Sequence, residues 1–233
     1  MRVPSPVDPR PLPELRHPGA WRDVPIVGVD EPLVRVADIG GRVLDDPQYF
    51  QWDLPGARPH SLVRTGVAER LAAAAASLAG GLTLVVWDGW RSFRTQEALY
   101  ADWRGQLAEQ HPDWSGDRLD TETARYVSVP SDDPLRPAPH ITGAAVDLTL
   151  GDENGEPLDL GTNFDAFVPE AGAMALEDTP GPARDLRRLL FWAMIAQGFT
   201  AYVEEWWHFD HGDQFWGSVL GRPALYGPAD PEG

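Results

Sequence analysis

Proline sets the limits on this chain. Of 23 prolines, six stand at positions 4, 6, 9, 11, 13 and 18. A residue with fixed φ and no N–H fits neither helix interior nor central strand. Residues 1–22 therefore read as an extended arm, laid over the domain that follows. Pro25 and Pro32, with Gly28 between them, break residues 24–36 into irregular or edge strands. Four more prolines fall within 130–139 and make a loop that runs directly into His140. Proline and glycine return from Gly221 onward, so residues 221–233 are expected as a flexible tail. What remains, residues 23–220, has no linker rich enough to divide it and reads as one domain.

Within that window the regular elements are short. Residues 64–78 are Ala-rich and stop at Gly80-Gly81, which predicts a helix. Residues 82–87, Leu-Thr-Leu-Val-Val-Trp, end at Asp88-Gly89 and predict a buried strand with a tight turn. A second helix opens after Trp90 and runs to about 109, with Phe93, Leu99, Trp103 and Leu107 on one face. Residues 118–126 suit a third. Residues 145–150 alternate apolar and polar, as a strand does. Residues 183–197 carry Leu186, Leu189, Leu190, Ala193 and Met194 at helical spacing before Gly198. Residues 199–207 are aromatic and β-branched and predict a strand. No internal repeat and no phosphate-binding glycine loop is present.

Composition narrows the chemistry. At 233 residues the chain can bury a core without covalent staples. It has no cysteine, which excludes disulfides, a thiolate nucleophile and a Cys-ligated metal. The net charge of −17 repels phosphate backbones and anionic lipid, so neither nucleic acid nor membrane is expected as a partner. No apolar run approaches the roughly 18 residues of a bilayer span. Residues 1–6 lack the apolar core of a signal peptide, and a cytoplasmic protein is expected.

Two stretches hold the candidate chemistry. Residues 139–150 contain His140 and Asp147, with Gly143 between them to let the backbone turn. Residues 203–209 contain Glu204, Glu205 and His208 around Trp206-Trp207. Two imidazoles, a carboxylate and a further acid suit a metal with three protein ligands and a general base. Strand periodicity puts Glu204, not Glu205, on the face of His208. Glu205 reaches that face only if the backbone bulges or turns near the tryptophans. Those tryptophans read equally well as core packing. His211 is a rival ligand, and a fourth protein ligand would close the site. His17, His60 and His111 sit in polar or Pro-rich surroundings and read as solvated. Arg91 follows a strand-end turn, from which it either reaches a cleft or stays on the surface.

These segments resemble the zinc D-alanyl-D-alanine dipeptidases, the family of the vancomycin-resistance dipeptidase. Its His-x-x-Gly-x-Ala-x-Asp segment is matched by His140, Gly143, Ala145 and Asp147. Its Glu-x-x-His with intervening tryptophans is matched by Glu205-Trp206-Trp207-His208. A Trp-Asp-Gly-aromatic-Arg turn is matched by residues 87–91, and Gly-x-x-Phe-Asp by residues 161–165. The likeness runs over about residues 24–215. Two positions depart from it: Ala138 stands where the family often has Ser, and Ser92 where Pro is usual.

The resemblance implies a single α+β domain of the D-Ala-D-Ala peptidase/Hedgehog-like type, with a central, mostly antiparallel sheet flanked by helices. It implies one Zn²⁺ per chain held by His140, Asp147 and His208. It implies Glu205 as general base, Arg91 as stabiliser of the oxyanion, and Asp165 at the ammonium group of a small dipeptide. The expected activity is hydrolysis of D-Ala-D-Ala. A carboxypeptidase or endopeptidase on peptidoglycan stem peptides, or a non-catalytic zinc protein, are the alternatives.

Overall fold

The computed structural model describes residues 10–17 and 19–231. The regular elements are β1 (Leu33–Arg35), β2 (Val43–Asp45), α1 (Gln48–Gln51), β3 (Leu62–Arg64), α2 (Thr65–Ser77), β4 (Thr83–Asp88), α3 (Phe93–Gln110), α4 (Gly116–Thr123), β5 (Ala145–Gly151), α5 (Pro182–Ile195), β6 (Thr200–Ala201), β7 (His208–Asp210) and α6 (Gln214–Leu220). Five strands form the central sheet in the order β2-β4-β5-β7-β6. Only β2 and β4 pair in parallel; the other three pairings are antiparallel. β1 and β3 make a separate antiparallel pair. The expected α+β domain with a mostly antiparallel sheet is what the chain forms.

The core follows from strand alternation. On β5, Val146, Leu148 and Leu150 enter the hydrophobic core. Asp147 and Thr149, one residue out of phase, face the other side of the sheet. Leu84 and Val86 of β4 stand across from Leu150 and Leu148 and extend the same apolar face. The α2 stripe Val67, Leu71, Ala74 and the α5 stripe Leu186, Leu190, Met194 cover it. Burying a Leu-sized side chain is worth about 2 kcal/mol. This layer therefore holds the sheet rigid while its other face carries polar groups.

Ser92, where the resemblance leads one to expect Pro, caps α3: its hydroxyl accepts from the Thr95 N–H at 3.1 Å. The buried face of α3 is Thr95, Gln96 and Leu107, with Leu99 and Trp103 partly covered. Phe93, expected on that face, is 38% exposed, because the helix begins there and its first turn overhangs the edge.

Three expectations need correction or completion. Of the strand expected over 199–207 only β6 forms; residues 202–207 turn, and β7 begins beyond them at His208. Trp206 and Trp207 are adjacent, yet both are buried. They pack from the turn between β6 and β7, not from a strand. The stretch after Gly221 is not loose. Ala224 and Tyr226 are fully buried, and Leu225 and Tyr226 donate to the Gly212 carbonyl at 2.6 and 3.0 Å. Ala229 N donates to Ile141 O, and the Trp90 indole donates to Ala229 O, both at 2.9 Å. Proline and glycine bar helix and strand there, but they do not bar packing. The arm, over the part that is described, does lie on the domain. Leu12 is buried, its N–H donates to Glu177 at 3.3 Å, and the Trp192 indole donates to Arg10 O at 3.1 Å. Residues 1–9 lie outside the described residues.

Candidate active site

Register brings the first two groups together. Asp147 on β5 stands directly across from His208 on β7. Cross-strand neighbours point to the same face, and here it is the face away from the core. The His208 Nδ1 lies 2.9 Å from Asp147 Oδ1. His140 arrives from a single 3-10 turn, Pro139–Thr142, whose proline opens it and whose Gly143 closes it at φ +71°. A side chain at Gly143 would collide with Leu33 as well as being strained in that conformation. The turn sets His140 Nε2 3.2 Å from His208 Nδ1 and 3.4 Å from Asp147 Oδ2.

The outer partners fix what these rings present. His140 Nδ1 is 2.8 Å from the Gly89 carbonyl, which can only accept, so that nitrogen carries the proton. His208 Nε2 is 2.9 Å from the Asp210 carboxylate and donates to it. The remaining nitrogens, His140 Nε2 and His208 Nδ1, then face each other and Asp147. His140, Asp147 and His208 each offer a ligand atom, all within 4.8 Å of one another and all buried. A carboxylate and two ring nitrogens this close need a proton or a metal cation among them; burial opposes a charged His208, but the Asp210 and Asp147 carboxylates outweigh it and raise its imidazole well above the ordinary range. A nitrogen–nitrogen–oxygen set with each imidazole backed by a carbonyl or carboxylate is the donor chemistry that zinc takes. The residues present fit that ion.

Charges in the site are strongly coupled. Burial opposes ionisation of Asp147, but His140 and His208 outweigh it and hold its carboxyl below the ordinary range. Burial pushes Glu205 well up, with Asp147 and Asp165 adding to the effect. Asp213 is also raised, by burial and by Asp210 beside it.

The turn in residues 202–207 decides between the two glutamates. Glu204 points outward and takes a two-pronged contact from Arg125, both distances 3.0 Å. Glu205 is buried, lines the same cavity as His140, Asp147 and His208, and reaches to 4.0 Å from His208 Nδ1. His211 does not join them. It follows Asp210 on the other side of the backbone, where its ring packs against Phe199 and Trp216.

Arg91 is buried and lines the cavity. It donates to Asp88 at 2.9 Å, to Gln96 at 2.9 Å, and through one terminal nitrogen to Asp147 and the Tyr49 hydroxyl, both at 3.2 Å. Asp165, at φ +53°, also lines the cavity and accepts from Tyr49 OH at 2.9 Å. Burial and then the Asp147 charge push its carboxyl up to about 7. Tyr49 and Asp210 are absent from the sequence reading. Asp210 was within reach of it, since i and i+2 on a strand share a face. Tyr49 sits in a one-turn helix with no pattern around it. Of the three histidines read as solvated, His60 and His111 stay outside the cavity. His17 is exposed but lines its rim, 3.2 Å from Tyr202 OH.

Comparison with known proteins places the chain in a family. The model of the Peptidase M15 family, D-Ala-D-Ala dipeptidase, matches residues 53–223. A D-alanyl-D-alanine dipeptidase of Synechocystis is 32% identical over 220 residues, covering 83% of this chain and 87% of its own length. One from Enterococcus faecium is 30% identical, covering 70% and 83%. Among solved structures, a vancomycin-resistance D,D-pentapeptidase in complex with Zn(II) overlaps 78% of this chain and 94% of its own. Its TM-score is 0.43, at 15% identity. On the extent of the family match and the identity to the Synechocystis relative, this chain belongs to the D-Ala-D-Ala dipeptidase family of M15 peptidases.

Proposed function

We propose that the protein hydrolyses the dipeptide D-Ala-D-Ala, with one zinc per chain held by His140, Asp147 and His208. The observation that carries this is the cavity itself: a three-donor cluster, a buried acid at 4.0 Å from one donor, and a second acid with its tyrosine in the same wall. When bound, zinc supplies Lewis acidity toward the scissile carbonyl and acidifies a water molecule. Glu205 accepts the proton of the attacking water and returns it to the leaving amine. Burial raises its carboxyl, which strengthens its hold on the proton it takes up. Asp165, oriented by Tyr49, takes the substrate's ammonium group. Arg91 holds Asp147 and Tyr49 in position and adds positive charge where the oxyanion develops.

The reading is tested with a panel of D,D-, L,D- and L,L-dipeptides and N-acylated stem peptides, each with and without chelator. Release of D-Ala from the free D,D-dipeptide, abolished by chelator and restored by Zn²⁺, is the expected result. Preferential cleavage of the acylated peptides would reassign the protein to carboxypeptidase chemistry.

A further inference from the structure

Part of the cavity wall comes from ahead of the matched family segment, which begins at residue 53. His17, Trp21 and Arg22 line the same cavity as Glu205 and His208. This wall is fixed. Gln214, buried on α6, donates to Arg22 O and Val24 O at 3.1 and 2.6 Å. The rings of His17 and Trp21 each meet Phe215 edge-on at 6.2 Å. Arg22 itself sits in the short 3-10 turn Trp21–Asp23, with its guanidinium 4.3 Å from the Trp21 ring centroid. It donates to Val129 O at 3.1 Å. Among the described residues no carboxylate pairs with it, since neighbouring Asp23 is engaged by Arg136 at 2.5 Å.

Arg22 is thus a half-buried cation without a counter-ion. Burial, and then the Arg136 charge, hold its guanidinium below the ordinary value. Partial burial of an unpaired charge is unfavourable, and an anion arriving in the cavity would relieve it. The other charges of the cavity wall include the carboxylates Asp147, Asp165 and Glu205. A free dipeptide carries one ammonium and one carboxylate. The acids offer the first a partner, and Arg22 offers the second one.

We propose that Arg22 binds the C-terminal carboxylate of the substrate, so that the arm sets how far the peptide extends beyond the scissile bond. A guanidinium suits this task because its donors match the two carboxylate oxygens. The proposal rests on the dipeptidase reading of the site.

The test compares D-Ala-D-Ala with its C-terminal amide, D-Ala-D-alaninamide, in the parent, Arg22→Gln and Arg22→Lys proteins. Arg22→Gln should raise KM for the free dipeptide by roughly 10- to 100-fold, the range for a hydrogen bond between charged partners. It should leave kcat and the amide's KM near parental, and Arg22→Lys should fall between. An unchanged dipeptide KM, or an equal loss on both substrates, would overturn the assignment while leaving the dipeptidase reading intact. A parent protein inactive on the free dipeptide would overturn both. Should the glutamine variant unfold at a lower temperature, the lysine variant decides, and a parental KM there overturns the assignment.

Discussion

His140 Nε2 and His208 Nδ1 face each other at 3.2 Å, while the other nitrogen of each ring is engaged by Gly89 O and by the Asp210 carboxylate. Two ring nitrogens at that distance, with Asp147 alongside, are positioned by the sheet and the 3-10 turn. The polar side of the site is therefore built to be completed by a cation.

That arrangement makes Asp210 a measurable part of the site although it offers no donor to the cluster. Asp210→Asn should weaken zinc binding by about 10- to 100-fold, the usual cost of losing a carboxylate behind a ligating histidine. Competition against a chromophoric chelator reads this directly. An affinity within about threefold of parental would mean that Asp210 does not tune His208.

Glu205 should be separable from metal binding. Glu205→Gln should keep its zinc content and lose turnover by about 10²- to 10⁴-fold, the contribution of a positioned general base. Glu204→Gln should keep both zinc and turnover, since Glu204 is engaged by Arg125 at the surface. Parental turnover in Glu205→Gln would remove the base from the mechanism.

Asp165 should write itself into the pH profile. Its carboxyl is raised to about 7 by burial and by Asp147. Below that pH it gains a proton and loses its charge, so KM for a free-amine dipeptide should climb as pH falls through 7. In Asp165→Asn that acid limb should vanish, along with the preference for free-amine over N-acylated substrates. If the variant keeps the preference, the ammonium is held elsewhere.

His211 affects stability rather than catalysis. Burial, and then Arg70, lower its imidazole from 6.5 to about 4. The unfolded chain takes up a proton near pH 6.5 and the folded chain does not until about 4. Between those values the native state loses ground as pH falls, by at most about 1.4 kcal/mol per pH unit for one proton. Chemical denaturation from pH 7.5 to 4.5 should show that slope. It should be smaller in His211→Gln, and an identical slope in both proteins would assign the acid sensitivity to other groups.

Much of this was legible in the chain. Ala-rich and heptad-like spacing marked α2 and α5, the β-branched run before Asp88 marked β4, and alternation marked β5 with Asp147 on its polar phase. Those signals are local, because helix and strand periods write themselves on consecutive residues. The family motifs named His140, Asp147, Glu205 and His208 without saying how they meet. The tail misled for a related reason. Gly221 to Ala229 carries no periodicity, and its order comes from Gly212, Ile141 and Trp90, which are distant or unpatterned in sequence.

By itself, then, the sequence nominated most of the side chains proposed to carry the chemistry and the segments that could be regular. Strand periodicity favoured Glu204 and the family motif Glu205; the tertiary structure brings Glu205 to the cavity. Residues 202–207 turn between β6 and β7, and that turn sends Glu205 inward and Glu204 out to Arg125. It also decided that Tyr49 and Arg22 share the cavity with groups more than a hundred residues away. No local pattern encodes such a meeting, because it depends on how the sheet, the arm and α6 pack together.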